Sequence, residues 1–454
     1  MNQQIAICIV LLCSLAMNAV GQIDTVLLKA FGASYYEEAT EVIRNSQNGY
    51  TIVGTTGSNE TGSTDLFIAA FDDELNCVWS KNYGNAEVDW GMSIVEDLSG
   101  NYLVCGYTLG SSVSSYDMLV MKVNAQGDMM WQQTYGGADW DFARKIIAHP
   151  LGGFLICGST YSDGNGDEDA VVLHIDGQGV LLHEWFLGGA GKDAANDMLA
   201  LSDGWITGGF QTMDGLEQAT LWKLDLAGNV QWTRVAEDAN GYGREVNAVA
   251  SANGYIYATG PVFTDLGTKS FEFRIPLDNT AAFEVVETQD FDFIYRDCVS
   301  VDDRIVFVGS KLTSGIELGR VVRKHSDLYF TGVFEFTGQE RARFNSVIWN
   351  GDELVMCGTY QPTLAENWQA VLLKYSSPVL NEVNIEPELA PCFTVDVEEV
   401  LLPKPGEAGA LYNALGQLVE ARFTWDVRYI NQTIPAGIYF FQVPGRKAHR
   451  VFID

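Results

Sequence analysis

The chain has 454 residues, with Lys+Arg 27 against Asp+Glu 59, giving a formal net charge of -32. A field of that sign repels polyanions, which excludes a nucleic-acid reader relying on clustered Lys and Arg. Apolar residues at 47% and aromatics at 12% suffice for a packed core and exclude wholesale disorder, while 46 Gly beside 5 His point to a turn-rich β protein poor in general bases.

Residues 5–20 form one apolar run ending in Ala19-Val20-Gly21, which predicts a signal peptide over 1–21, cleaved before Gln22. Leu12 precedes Cys13 where a lipoprotein needs a small residue. No other stretch approaches the ~20 apolar residues of a spanning helix, so no transmembrane segment is expected in the mature chain.

A lone strand, Val26 to Gly32, matches Val78 to Gly84 and opens a repeat. A glycine ends an apolar strand at Gly54, Gly106, Gly158, Gly209, Gly260, Gly309 and Gly358, with separations of 52, 52, 51, 51, 49 and 49. Each unit reads as four strands. The first is short, as at Ala143 to Ile146; the second is the run into the ruler glycine; the third opens at an Asp (Asp65, Asp117, Asp169); the fourth carries an aromatic such as Trp79 or Trp131. The third and fourth join through a tight turn such as Asn124-Ala125-Gln126-Gly127, as a hairpin does. Seven four-stranded units at this period predict an all-β chain with a seven-bladed β-propeller over 22–377. The seventh unit stops after its third strand, Ala370 to Tyr375, so the N-terminal strand is expected to complete it and close the ring.

At these residues the chain resembles the bacterial β-propeller repeat family, whose units run D-x-x-x-x-K-x-x-x-x-G, then W, GG and G-N-x-x-x-x-G. The resemblance covers roughly residues 23–376. It implies a fold and a surface role and names no reaction.

Removing the signal peptide leaves Cys77, Cys105, Cys157, Cys298, Cys357 and Cys392. An exported chain with an even count invites disulfides. Cys105, Cys157 and Cys357 each precede a ruler glycine, however, and equivalent places in separate repeats lie too far apart to bridge. They read as small buried hydrophobes.

One position before the first strand carries charge in six of the seven units: Glu37, Asp89, Asp141 and Asp193 in units 1 to 4 and Arg244 and Arg296 in units 5 and 6, with Ala342 in unit 7. With that strand innermost, carboxylates would ring one arc of a channel mouth and guanidinium groups the other, flanked by Tyr36, Trp90 and Trp140. Such a mouth suits a polar ligand that stacks on aromatic faces. The alternative is that each Asp accepts backbone N–H bonds as part of the repeat's scaffold. Asp163, Asn165, Asp167 and Asp169 offer oxygens at alternate positions, as Ca2+ prefers, but Glu168 stands where a calcium loop has Gly and His174 where it has Glu. The plain alternative is an ordinary loop. No HExxH, phosphate-binding loop or nucleophile elbow is present.

Residues 378–391 have linker character, and 392–454 carry Tyr412-Asn413 with Gly416-Gln417, then Pro435, Gly437 and Tyr439. These segments resemble the C-terminal sorting domain of the type IX secretion system of Bacteroidetes. The resemblance implies a small C-terminal β-sandwich, the type IX secretion machinery as partner, and a route through the periplasm to the outer cell surface or the medium. An ordinary accessory β-sandwich is the alternative. The function expected is a non-catalytic module binding a polysaccharide, peptide or protein; the alternative is a glycan hydrolase or lyase working with mouth carboxylates.

Overall fold

The computed structural model describes residues 25–376 apart from 32–35, 58–62, 85–87, 111–114, 165–166, 237–240, 279–283, 288–292, 326–327, 329, 336–340 and 363–366; beyond them it describes 388–389, 408–413, 418–424, 437–442 and 449–453. The signal peptide, Asn165, Cys392 and most of the linker fall outside the described residues. Among those described, no helix is long and apolar enough to cross a membrane.

Seven sheets, each built on four antiparallel strands, follow one another along the first unit. Blade 1 comprises Glu37–Arg44, Tyr50–Thr56, Asp65–Phe71 and Cys77–Tyr83. Blades 2, 3 and 4 repeat the pattern from Asp89, Asp141 and Asp193. In blade 5 the inner strand is split into Gly243–Arg244 and Ala248–Ala252, and blade 6 begins at Phe293. Blade 7 takes Arg341–Trp349, Leu354–Gln361 and Gln369–Ser376 from its own repeat. Its fourth strand is Thr25–Phe31, paired antiparallel from Thr25 with Ser376 to Phe31 with Ala370. The chain is a seven-bladed β-propeller closed by its N-terminal strand. Glu388 and Leu389 lie parallel to Lys29 and Ala30 at the outer edge of that blade.

The second strands are covered on both faces, which is why they read as continuous apolar runs: every residue of Tyr50–Thr56 and Phe154–Thr160 is buried. The core lies between blades. Ile52, Phe67 and Phe71 of blade 1 pack with Val355 and Leu372 of blade 7, and Val53 and Ile68 pack with Val104 and Leu119 of blade 2. Cys105, Cys157, Cys298 and Cys357 are free thiols buried in this core, as small hydrophobes are; Cys77 is disulfide-bonded.

The ruler glycines have a steric cause. Each inner strand of blades 1 to 4, 6 and 7 carries a register shift, between Ala39 and Glu41 in blade 1 and between Gly91 and Ser93 in blade 2, which pushes its backbone onto the glycine opposite. A Cβ on Gly106 would stand 1.8 Å from the Trp90 carbonyl oxygen, and on Gly358 1.9 Å from that of Arg343. In blades 1, 4 and 7 the residue skipped by the pairing, and in blade 5 Asn247 in the split of the inner strand, turns its side chain to the next blade. Thr40 Oγ1 donates to the Gly91 carbonyl at 2.8 Å, Asn196 Nδ2 to Val246 at 3.0 Å, Asn247 Nδ2 to Tyr295 at 3.1 Å and Asn345 Nδ2 to Ala39 at 2.9 Å. The residue after it accepts from the next blade's backbone: Glu41 from Ile94 N–H at 2.7 Å, Asp197 from Val249 and Asp297 from Val347, both at 2.8 Å.

At the rim, a second device recurs. Trp79 Nε1 donates to the Ala125 carbonyl at 3.0 Å and Tyr83 OH to that of Gly127 at 2.6 Å, so the fourth strand of blade 1 holds the hairpin turn of blade 2. Gly127 has φ +75, and a Cβ there would meet the Trp79 ring at 2.6 Å.

A second unit spans Thr394–Asp454. Its described strands, Ala408–Asn413, Leu418–Thr424, Gly437–Gln442 and His449–Ile453, form one antiparallel sheet. The two motif segments are neighbours in it, Asn413 pairing with Tyr439; Gly416, Gln417 and Pro435 lie outside the described residues.

Candidate ligand site at the channel mouth

The inner strands begin at the propeller face that also carries the loops between second and third strands. At their first position Glu37, Asp89, Asp141 and Asp193 are buried, 0 to 1% exposed. Asp141 accepts from Gly137 N–H and Ser162 Oγ, both at 2.9 Å, and from the Thr160 hydroxyl. Asp193 accepts from Gly189 N–H at 2.5 Å and Thr212 N–H at 3.0 Å. A Cβ on Gly136 would stand 2.2 Å from Asp141 Oδ2, which explains the glycine five residues earlier. The backbone N–H groups of Glu37, Asp89 and Asp193 donate at 3.0, 2.8 and 2.7 Å to carbonyls of Trp368, Thr64 and Glu168 in the preceding blade. These are the contacts of a scaffold position. Burial raises the Asp193 carboxyl, and the Gly189 and Thr212 N–H groups oppose that.

Arg244 is buried too, its guanidinium 5.5 Å from the Phe271 ring centre. In blade 6 the register departs from the sequence expectation. Phe293 pairs with Lys311 as Glu37 pairs with Thr56, so Phe293 holds the equivalent position. Arg296 is instead the residue skipped by the pairing, three places further on. The loss of the Asp landmark in that blade hid the shift.

Beside this first position of the inner strands stand Trp90, Phe142, Glu245, Arg343 and Glu38, each the next residue along, the skipped Arg144 and Arg296, and aromatic side chains from neighbouring segments. Trp90 stacks on Tyr107 with centroids 5.8 Å apart and planes at 12°. Tyr107 meets Phe142 edge-on at 5.1 Å, Tyr116 meets Trp140 at 6.3 Å, and Trp140 meets Tyr161 at 6.2 Å. This crescent spans blades 2 and 3 and is partly open, Trp140 being 47% exposed. Arg144, a skipped residue, lies 5.7 Å from the Phe142 ring centre, and Tyr161 OH donates to Glu168 at 2.7 Å. Glu245 of blade 5 is raised to about 7, first by burial, then by the charge of Glu217, with which it shares a hydrogen bond; Arg144 pulls it down. A glycosidase needs its two carboxyl groups ~5 to 9.5 Å apart. Two that hydrogen-bond to each other share a proton and leave no room for a glycosidic bond.

Across the mouth, Glu38 accepts from Tyr36 OH and from Asn345 Nδ2 at 2.7 Å, and Arg343 Nη1 stands 3.5 Å away. Arg343 also lies 5.8 Å from the Trp368 ring centre. Thus Trp90 and Trp140 come together in one crescent and Tyr36 and Arg296 on the facing arc, while Glu37, Asp89, Asp141, Asp193 and Arg244 lie behind the surface. Sequence reasoning missed Tyr107, Phe142, Tyr161, Arg144, Glu245 and Arg343. The signal for Arg144 was its place at a bulge whose counterparts are Thr40 and Asn196.

Of the proposed calcium loop, Asp163 and Asp167 are exposed and Asp169 is 2% exposed, its Oδ2 2.2 Å from where a Cβ on Gly164 would stand. Among the described residues no group of three or more His, Cys, Asp or Glu is placed to hold a metal ion.

No protein-family model and no curated protein matches the chain. Solved structures with a similar architecture include the WD40 β-propeller domain of Doa1, 12% identical over 77% of this chain and 95% of that one with a TM-score of 0.47. The β-propeller domain of the Trilobed protease from Pyrococcus furiosus is 9% identical over 76% and 94%, TM-score 0.45. A lignostilbene dioxygenase from Pseudomonas brassicacearum is 9% identical over 79% and 93%, TM-score 0.42. No residue role passes from any of them to this chain.

Proposed function

We propose that this chain is an exported, non-catalytic β-propeller that binds a polysaccharide, peptide or protein ligand at its channel mouth. The observation that carries the reading is the half-open crescent from Trp90 to Tyr161. Trp140 is exposed and the rings around it are only partly buried, and a run of partly open aromatic rings at one opening suits a binding site. The experiment is a glycan and peptide array on the mature propeller, followed by Trp140→Ala. The variant should melt with the parent and weaken the captured ligand at least tenfold. Equal binding by both would place the ligand elsewhere.

The same proposal includes the route. The motif residues Tyr412, Asn413, Gly437 and Tyr439 support reading 392–454 as a type IX sorting domain of β-sandwich form, from a Bacteroidetes source, that takes the chain through the periplasm to the outer surface. Deleting 392–454 should leave a folded propeller trapped in the periplasm; surface delivery of the truncated chain would end this reading.

A further inference from the structure

The residue at the bulge or split of the inner strand has a structural duty in four blades, where Thr40, Asn196, Asn247 and Asn345 hold the backbone of the next blade. Arg296 occupies the same bulge, but its side chain turns to Glu317 of its own blade. There it meets Arg343 from blade 7. Both reach Glu317, whose Oε1 stands 3.9 Å from Arg296 Nη2 and 3.3 Å from Arg343 Nε and already accepts from Ser310 Oγ at 2.6 Å. Glu38 is engaged by Tyr36, by Asn345 and, at 3.5 Å, by Arg343 Nη1, which leaves Arg296 with Glu317 alone among the described residues. Arg296 Nε is buried with no hydrogen-bond acceptor among the described residues. Burial, and then the like charge of Arg343, lowers the pKa of Arg296. A guanidinium fork with an unmatched Nε, standing beside a second guanidinium, is what a planar two-oxygen anion satisfies.

We propose that Arg296 and Arg343 form the anion subsite of the mouth, and that the ligand is an oligosaccharide carrying one carboxylate, a uronic acid, whose neutral sugars stack on the Trp90 to Trp140 crescent. This rests on the reading of the mouth as a ligand site and deepens it. A single acid is specified because the net charge of -32 repels a polyanion, whereas the field of a pair of arginines is local, solvent-borne charges being screened over ~8 Å in physiological salt. Sugars are favoured over a peptide because the crescent gives ring faces for stacking and, at Tyr161, Glu168 and Glu217, oxygens for hydroxyl groups.

The test compares glucuronosyl-xylotriose with xylotetraose, of equal length, and with a tetrapeptide bearing a free C-terminal carboxylate, by titration calorimetry on the whole mature chain. The acidic tetrasaccharide should bind at least tenfold more tightly than the neutral one. Arg296→Met should bring that ratio close to one, and Arg296→Lys, which keeps the charge without the fork, should leave it intermediate. Thermal melts establish that both variants are folded. A ratio near one in the parent, a ratio unchanged by Arg296→Met, or Arg296-dependent binding of the peptide alone overturns the proposal. If array ligands still depend on Trp140, the mouth stands as a binding site and only its acid specificity is lost. If none does, both readings are lost.

Discussion

Closure by the N-terminal strand is where the fold is most exposed to attack. Leu28, Ala30 and Phe31 are 6, 1 and 2% exposed, and the Phe31 ring lies 4.6 Å from Phe71 of blade 1, tilted at 38°. One strand therefore completes blade 7 and also fills the junction between blades 7 and 1. Phe31→Ala removes a buried aromatic without altering which residues are ordered, so its cost comes from lost burial plus the cavity left behind, about 3 to 5 kcal/mol. Deleting residues 22–31 adds the loss of the ladder with Gln369–Ser376 and opens a blade edge, offset in part by the entropy of a shorter ordered chain.

The assay is urea unfolding followed by tryptophan fluorescence, with Phe186→Ala as control. Phe186 is 38% exposed on the fourth strand of blade 3 and should cost under about 1 kcal/mol. A peptide spanning residues 22–33, added to the deleted protein, should raise its midpoint in a concentration-dependent way. If Phe31→Ala and Phe186→Ala shift the midpoint equally, and the peptide does nothing, the ring is not held closed by this strand.

Other outcomes follow from the same geometry. Gly106→Ala should be strongly destabilising because its Cβ would lie 1.8 Å from the Trp90 carbonyl oxygen, whereas Gly177→Ala, with nothing within 4 Å, should leave the melting temperature nearly unchanged. Stability should also fall as pH rises. Asp297 is held at about 7, chiefly by burial, with Lys145 opposing, and Glu245 is also at about 7. In each case the folded state keeps a proton that the unfolded state releases near pH 4. The contribution is therefore present at low pH and is lost between about pH 4 and pH 7, at up to about 1.4 kcal/mol per pH unit for each group. Denaturant midpoints at pH 5 and pH 8 measure this, and Asp297→Asn with Glu245→Gln should flatten the slope; an unchanged slope would refute the assignment.

What could be read from the sequence was what the repeat imposes by sterics. The ruler glycines are needed wherever the inner strand bulges, so their spacing counted the blades, and the aromatic of the fourth strand was legible because a glycine turn in the next blade must seat it. The mouth was less legible. Tyr107, Tyr116, Trp140 and Tyr161 arrive from separate segments, and only pairing brings their rings within 7 Å. The bulge also breaks the two-residue alternation along each inner strand, so the direction of a side chain after it does not follow from counting. Arg296 was placed beside Arg244 for another reason, the loss of the Asp landmark in blade 6, where Phe293 holds the position. Acidic residues regular enough to suggest a charged ring are buried, Asp141 and Asp193 bonded to their own loops.

Regularity and function thus pull in opposite directions along this chain. A position filled the same way in blade after blade is under the same local demand each time: a backbone N–H to satisfy, a carbonyl to approach, a turn to seat. Asp89, Asp141 and Asp193 are of that kind. A ligand meets the ring only once and from one side, so residues that serve it have no reason to repeat. Met92, Arg144 and Arg296 break the Thr or Asn pattern at the bulge, Arg144 beside the aromatic crescent and Arg296 beside Glu317 and Arg343. Giving up a clasp costs about one hydrogen bond between blades, on the order of 1 kcal/mol. Seven apolar junctions can absorb that loss. The irregular bulges, and not the repeated carboxylates, are therefore the places where substitution should change binding without changing the fold.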